Sequence, residues 1–142
     1  LESQIQKHKL LNIKLLPYQE RKNMPVINLF ADFHFIAMNK STEHDGFPSK
    51  IYTIMSSGKP MIVVSSEHTP KESFLTKINS AIIVPNHSVK DFQKAVLQLT
   101  EDKDLRNALG NNGRKVVERE YNKQSIVKKY IKLAEDISSL KD

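Results

Sequence analysis

Short apolar runs alternate with longer helix-like segments along most of the chain. Each run is rich in β-branched, aromatic or leucine residues and is bounded by proline or polar residues, which is typical of a β-strand. The predicted strands are 13–16, 33–38, 61–64 and 81–84. Helical spacing and capping residues predict helices around them, at 1–11, 23–30, 48–58, 70–78, 89–99, 103–121 and 123–140.

The alternation of strands and helices predicts a parallel sheet, because parallel strands need a crossover connection and a helix usually provides it. The run Met61–Val64 is apolar at every position, which indicates a strand covered on both faces. We therefore expect an α/β fold with helices on both faces of the sheet and a helical C-terminus. Since no repeat or linker-like tract interrupts residues 1–142, we expect a single domain.

Composition narrows the class of protein. Of the 142 residues, 39% are hydrophobic and 27% are charged, an ordinary globular mixture. No apolar run approaches the roughly 18 residues that a transmembrane helix needs. The absence of cysteine excludes disulfides and thiolate metal sites and permits a cytoplasmic location. The five histidines show no metal-ligand spacing, so we expect no metal site.

The charge distribution favours a solvated surface. The net charge is +6, but acidic residues lie between the lysines, so the pattern does not predict a nucleic-acid-binding patch. The predicted last helix carries Lys123, Lys128, Lys129 and Lys132. Peripheral contact with an anionic membrane is one interpretation of these lysines, and a solvated helix face is the favoured one.

The segment Asp45–Pro60 is the strongest candidate for chemistry. It predicts a loop followed by a helix whose first N–H groups have no partner within the helix. In a parallel α/β sheet this helix end lies at the carboxyl edge, where ligands bind. The helix dipole, the small Gly46 and the side chains of Ser49 and Lys50 suit a diphosphate. A plain turn with Pro48 at the start of the helix explains the same residues equally well.

The same segment resembles the signature of retaining glycosyltransferases of the GT-B fold (glycosyltransferase family 4-like, group 1). The shared pattern is an acid, a glycine-containing loop, Pro-Ser-Lys, a helix, and then small-small-Gly-Lys-Pro before an apolar strand. Further segments resemble the family in the same order along the chain. They are Leu15–Tyr18, Ala31–Ile36, Ile82–Pro85, Leu105–Gly113 and Arg114–Glu118.

The resemblance implies a Rossmann-like, C-terminal nucleotide-sugar-binding domain. It implies that Asp45 is the catalytic acid residue near the donor sugar. The positions implied to contact the nucleotide are Tyr18, Gly46, Phe47, Pro48, Ser49, Lys50 and Thr53. The family usually carries two glutamates at the spacing of Asp45 and Thr53. Asp45 retains a carboxylate at the first position. Thr53 has only a hydroxyl at the second position, which the resemblance places beside the ribose.

The resemblance also implies partners. The expected substrate is a nucleoside-diphosphate sugar, such as a UDP- or GDP-sugar, with no metal or other cofactor. The acceptor is expected to be a glycan or a lipid-linked molecule. Transfer would occur in the cytoplasm, with peripheral contact to the inner face of the membrane as one option.

The chain begins at Leu1 in mid-pattern, so we expect a fragment. On this expectation the first strands of its domain, a basic residue and a glycine-rich turn lie upstream, together with the acceptor-binding N-terminal domain. We therefore expect no transfer by this chain alone. A sheet without those strands has a free edge, which the run at 13–16 or a second copy of the chain would pair with. The alternative function is a non-catalytic, degenerate α/β module that binds a nucleotide or a protein.

Overall fold

A computed structural model describes residues 1–38, 47–66 and 69–139. The helices are α1 (Glu2–Lys7), α2 (Met24–Phe30), α3 (Ser49–Ser56), α4 (Pro70–Ile78), α5 (Val89–Glu101), α6 (Lys103–Glu120) and α7 (Lys123–Ser139). The strands are β1 (His34–Ala37), β2 (Met61–Ser65) and β3 (Ala81–Pro85), and one 3-10 turn, Arg21–Asn23, precedes α2.

The three strands form one parallel sheet in the order β1-β2-β3. His34 pairs with Met61, and Met61 pairs with Ala81. The central strand β2 is the most deeply buried, as its uninterrupted apolar sequence predicts. The predicted α/β class, with a parallel sheet flanked by helices and a helical C-terminus, is confirmed.

Each face of the sheet has its own hydrophobic core. On one face, α3, α4 and the second half of α6 pack on β2; the buried residues there include Ile51, Met55, Leu75 and Val116. On the other face, α5 and the first half of α6 pack on β2 and β3; the buried residues include Ala95, Leu99 and Leu109. The sheet is therefore covered on one side mainly by the helices that connect its strands, α3 and α4, and on the other mainly by helices that follow β3.

Two glycines of α6 allow that helix to lie directly against the end of α3. Gly58 ends α3 with a φ of +68°, a conformation that favours glycine. A Cβ on Gly110 would lie 2.0 Å from the carbonyl oxygen of Gly58, and one on Gly113 would lie 3.1 Å from Cγ of Met55. This contact fixes the C-terminal end of α3 at the amino edge of the sheet.

The predicted strand at residues 13–16 is wrong. These residues have no strand partner and no regular structure. Ile13 and Leu15 line a shallow groove together with Ile5 of α1, while Leu16 is 62% exposed. A strand gains its hydrogen bonds only from a neighbour, and the described strand β1 does not pair with this segment. The expected pairing of 13–16 with the 33–38 strand is therefore not formed.

The first helix is also shorter than the predicted 1–11. It ends at Lys7, and Lys9 takes a left-handed backbone conformation with a φ of 49°. Leu11 is 99% exposed, so no packing contact favours continuing the helix. Short helices need such contacts, because helix propensity alone rarely stabilises them in water.

Candidate functional site

The first turn of α3 lies at the carboxyl edge of the sheet. Strand β1 and helix α3 are consecutive elements of a parallel sheet, so α3 begins at the edge where β1 ends. Pro48 occupies the N-cap position, with φ −61° and ψ 126°, and no described side chain caps the helix. The N–H of Ile51 donates to the carbonyl oxygen of Pro48 at 3.0 Å. The preceding N–H groups, of Ser49 and Lys50, therefore have no partner within the helix.

Ser49, Lys50 and Thr53 line a cleft of about 490 Å³ between α3, β1 and α2. Ser49 and Lys50 are exposed to solvent in it. The remaining lining residues are Arg21, Met24, Ile27, Asn28, His34, Phe35 and Ile54. The cleft thus combines an apolar wall with two cations and the end of a helix, an arrangement that suits an anionic ligand with an apolar part.

Arg21 is a functional candidate that its local sequence does not reveal. It belongs to the 3-10 turn before α2 and lines the same cleft as Lys50. Nothing in the local sequence around Arg21 indicates that it meets α3. Only the folding of α2 against β1 and α3 brings the two cations to one cleft.

The hydroxyl of Thr53 is engaged by its own helix. It donates a hydrogen bond to the carbonyl oxygen of Ser49 at 3.2 Å, a common arrangement for threonine inside a helix. The hydroxyl proton is therefore used, and only the oxygen lone pairs remain for a ligand in the cleft. The predicted ribose contact of Thr53 stays a prediction.

The other predicted site residues are not all brought to the cleft. Phe47 is half-buried and packs on the far side of α3 from the cleft residues, against Phe74. Tyr18 is 95% exposed and does not line the cleft. Asp45 and Gly46 lie outside the described residues, so their predicted contacts with the donor sugar and the diphosphate stay predictions.

His34 is a hydrogen-bonded histidine of the edge strand. Its Nε2 lies 3.2 Å from the carbonyl oxygen of Asn28, to which it donates when it carries the proton. Burial lowers the pKa of His34, and the positive charges of Lys59 and Lys50 lower it further, although the hydrogen bond opposes this shift. A neutral His34 adds a hydrogen-bonding group, and no fixed charge, to the cleft wall.

The neighbouring α4 also begins at the carboxyl edge. Thr69 caps it by accepting a hydrogen bond from the N–H of Glu72 at 3.1 Å. One carboxylate oxygen of Glu72, Oε2, is buried and has no hydrogen-bond partner among the described residues. Glu67 and His68, which follow β2 in sequence, lie outside the described residues.

Two further classes of site are absent from the part of the chain that the structure describes. No group of three or more histidine, aspartate or glutamate side chains there is arranged to hold a metal ion. None of the described helices is both long and apolar enough to cross a membrane.

Comparison with known proteins decides the family. The sequence model of the family described as glycosyl transferases group 1 matches residues 1–116. The chain belongs to this family. No curated protein and no solved structure gives a significant match to it. For a group 1 glycosyltransferase, the cleft at the first turn of α3 is the strongest site candidate among the described residues, and it lies wholly within the matched segment.

Proposed function

We propose that this chain is the donor-binding part of a retaining glycosyltransferase of the GT-B fold. In this proposal the enzyme moves a sugar from a nucleoside-diphosphate sugar to a glycan or a lipid-linked acceptor. Family membership supports the transferase activity. The single observation that carries the donor-binding role is the first turn of α3. No described side chain caps it, and it borders a cleft lined by Lys50 and Arg21.

The positive charges of the cleft are complementary to the negative charges of a diphosphate. The free N–H groups of Ser49 and Lys50 carry the positive end of the helix dipole. The cations of Lys50 and Arg21 add full charges on the two sides of the same cleft. The volume of about 490 Å³ lies within the range of roughly 300–1,000 Å³ that is usual for small-molecule sites. The apolar part of the wall, with Met24 and Ile27, suits the uncharged part of a nucleotide.

The same groups have a role in the chemistry. When the bond between the sugar and the diphosphate breaks, negative charge grows on the leaving phosphate oxygens. Donors and cations that are already in place stabilise that charge more than they stabilise the bound substrate. In this proposal no cofactor takes part, and Asp45 lies near the donor sugar. The acceptor is held by a second, N-terminal domain that faces the carboxyl edge of this sheet.

Calorimetry with UDP and with GDP tests donor binding. We expect weak but saturable binding, and we expect Lys50→Ala to weaken it about tenfold or more, the scale of a hydrogen bond between charged groups. Lys115→Ala removes an exposed lysine of α6 that does not line the cleft, and it should leave the affinity unchanged. Equal nucleotide affinities of the native chain and Lys50→Ala would contradict the assignment of the donor site to this cleft.

A gain-of-affinity variant tests the ribose position. Thr53 lines the cleft one helical turn after Ser49. Thr53→Glu places a carboxylate there, and we expect it to tighten nucleotide binding by about 1–2 kcal/mol. Thr53→Gln is the matched control, since it has the same length and no charge, and it should gain less. A neutral or weakening effect of Thr53→Glu would remove Thr53 from the ribose site.

The second candidate is a non-catalytic module that binds a nucleotide without transferring a sugar. The engaged hydroxyl of Thr53 favours it, because that side chain offers the ligand no proton. A longer protein that contains this chain and an acceptor-binding domain distinguishes the two functions. Sugar transfer from a UDP- or GDP-sugar supports the transferase, whereas nucleotide binding without transfer to glycan or lipid acceptors supports the module.

A further inference from the structure

Four aromatic rings form a cluster on the side of α3 that faces α4 and α6. We call Phe47, Tyr52, Phe74 and Tyr121 the aromatic cluster. The ring centroids of Phe47 and Phe74 are 5.0 Å apart, and those of Tyr52 and Tyr121 are 4.7 Å apart. Phe47 also meets Tyr52 at 5.9 Å, and Phe74 meets Tyr121 at 6.1 Å. These separations are in the range in which aromatic pairs attract one another beyond their burial.

Two of these rings flank the first turn of α3. Phe47 directly precedes the N-cap residue Pro48, and Tyr52 lies less than one turn after Ser49. Among the described residues, no side chain caps α3 by a hydrogen bond. The packing of Phe47 and Tyr52 against α4 and α6 constrains the start of the helix.

Tyr121 connects this turn to the rigid part of the fold. It directly follows α6, the helix whose Gly110 touches Gly58 at the other end of α3. The same helix therefore holds α3 near both ends. Burial raises the pKa of Tyr52, and the neighbouring Tyr121 raises it further.

Tyr121 is also held from its other side. The Nζ of Lys129, on α7, lies 5.5 Å from the centre of the Tyr121 ring, within the distance of a cation–π contact. The turn between α6 and α7 is fixed by Asn122, whose Oδ1 accepts a hydrogen bond from the N–H of Ser125 at 2.9 Å. These contacts fix the position of the Tyr121 ring. Tyr121 does not line the cleft, so it can act on a ligand there only through α3.

We propose that Tyr121 is a positioning residue for donor binding. It holds the first turn of α3, through Tyr52 and Phe47, in the geometry in which the N–H groups of Ser49 and Lys50 meet a diphosphate. This inference rests on the proposed donor-binding function. Preorganised donors lose affinity when their support allows them to move by a fraction of an ångström to an ångström.

The test compares three variants by their affinity for UDP and their free energy of unfolding. We expect Tyr121→Leu to weaken UDP binding about tenfold, and Tyr121→Phe, which keeps the ring, to restore it to within about threefold. Leu99→Ala is the matched control, because Leu99 is fully buried in the core on the other face of the sheet. It should destabilise the chain at least as much and leave the affinity for UDP unchanged.

Each outcome separates this inference from the function on which it rests. Native chain that binds neither UDP nor GDP contradicts the proposed function and this inference with it. If Lys50→Ala weakens UDP binding and Tyr121→Leu does not, only the positioning role of Tyr121 is contradicted. Equal weakening by Leu99→Ala also contradicts it, because the effect would then follow from general destabilisation.

A second measurement does not depend on a ligand. The N–H of Ile51 closes the first turn of α3 on Pro48, so its hydrogen exchange reports the opening of that turn. Each variant also exchanges through global unfolding, so the contribution expected from its free energy of unfolding is subtracted from the rate. We expect the remaining exchange of the Ile51 N–H to be faster in Tyr121→Leu than in Leu99→Ala. Should Tyr121→Leu fail to fold, Phe74→Leu trims the same cluster from α4 and is expected to give the same two effects. Unchanged exchange and unchanged UDP binding in Phe74→Leu would overturn the proposal.

Discussion

The N-terminal part of the chain and the part that follows β1 use the same apolar residue types and differ sharply in burial. Among residues 1–37 only Asn28 is buried. In the described segments after β1, leucines such as Leu75 and Leu99 are fully buried, whereas Leu11 in the N-terminal part is 99% exposed. An apolar pattern is therefore enough to predict an element, whereas its burial requires a second element to pack against it.

The largest expected effect lies where α6 meets α3. Gly110→Ala places a Cβ 2.0 Å from the Gly58 carbonyl oxygen, and backbone cannot yield as a flexible side chain can. We expect a loss of more than about 3 kcal/mol of unfolding free energy, or an unfolded chain. Gly113→Ala is the comparison variant. Its Cβ would meet only side-chain atoms, Cγ of the buried Met55 at 3.1 Å and Cβ of Ser80 at 3.3 Å, so we expect a smaller loss. Urea titrations of both variants measure their free energies of unfolding. An unchanged value for Gly110→Ala would show that α6 does not pack directly on the end of α3.

Two leucine variants test the comparison itself. Leu99 is fully buried and Leu16 is 62% exposed. We expect Leu99→Ala to cost about 2–5 kcal/mol and Leu16→Ala to cost less than about 0.5 kcal/mol. Urea denaturation followed by circular dichroism provides both values. A cost for Leu16→Ala close to that for Leu99→Ala would mean that the N-terminal part has its own core.

A smaller effect is expected at the edge of β1 that no described strand pairs with. The N–H of His34 donates to the carbonyl oxygen of Pro60, just before β2, and the N–H of Met38 donates to that of Val64 in β2, at 3.0 Å each. The N–H and C=O groups of Phe35 and Ala37 therefore face away from β2. Phe35 itself is 54% exposed. We propose that this edge pairs two copies of the chain weakly at high concentration.

Sedimentation at several concentrations measures that association. We expect Phe35→Lys to reduce it, because an edge lysine disfavours strand pairing. The variant also loses the ring contact with Phe92, whose centroid lies 5.0 Å from that of Phe35, so the monomer should lose about 0.5–1.5 kcal/mol of unfolding free energy. Val26→Lys, on the exposed face of α2, controls for the added charge. A native chain that stays monomeric at every concentration would contradict pairing at this edge.

The smallest expected effect is the pH dependence that His34 contributes. Burial lowers its pKa below the ordinary value of 6.5, so the folded state disfavours the charged form. The stability that neutral His34 contributes is present above that value and is lost as the pH falls through the lowered pKa of the folded state. Between about pH 8 and about pH 5, the native chain should therefore lose more unfolding free energy than His34→Gln. Equal losses of unfolding free energy in the native chain and in His34→Gln would show that His34 does not contribute to the pH dependence.

The sequence was sufficient where a local pattern carried the information. Pro48 and Gly58 mark the start and end of α3, and the apolar β2 indicates a covered strand, so the parallel α/β class followed from local pattern alone. The strand at 13–16 was wrong because pairing depends on a neighbour, which the run itself does not reveal. Arg21 and Tyr121 were missed because their partners on α3 are distant in sequence, and only the packed fold brings them together.

Nucleotide binding at the first turn of α3 is tested most directly by NMR titration of the native chain with UDP and GDP. We expect saturable shifts of the Ser49 and Lys50 amide signals, smaller changes at Thr53, and no saturable change on α5, on the far face of the sheet. A shift at Tyr18 would show whether the exposed N-terminal part also contacts the base. Ser49 and Lys50 amides that stay unchanged at saturating nucleotide would contradict the donor-binding function.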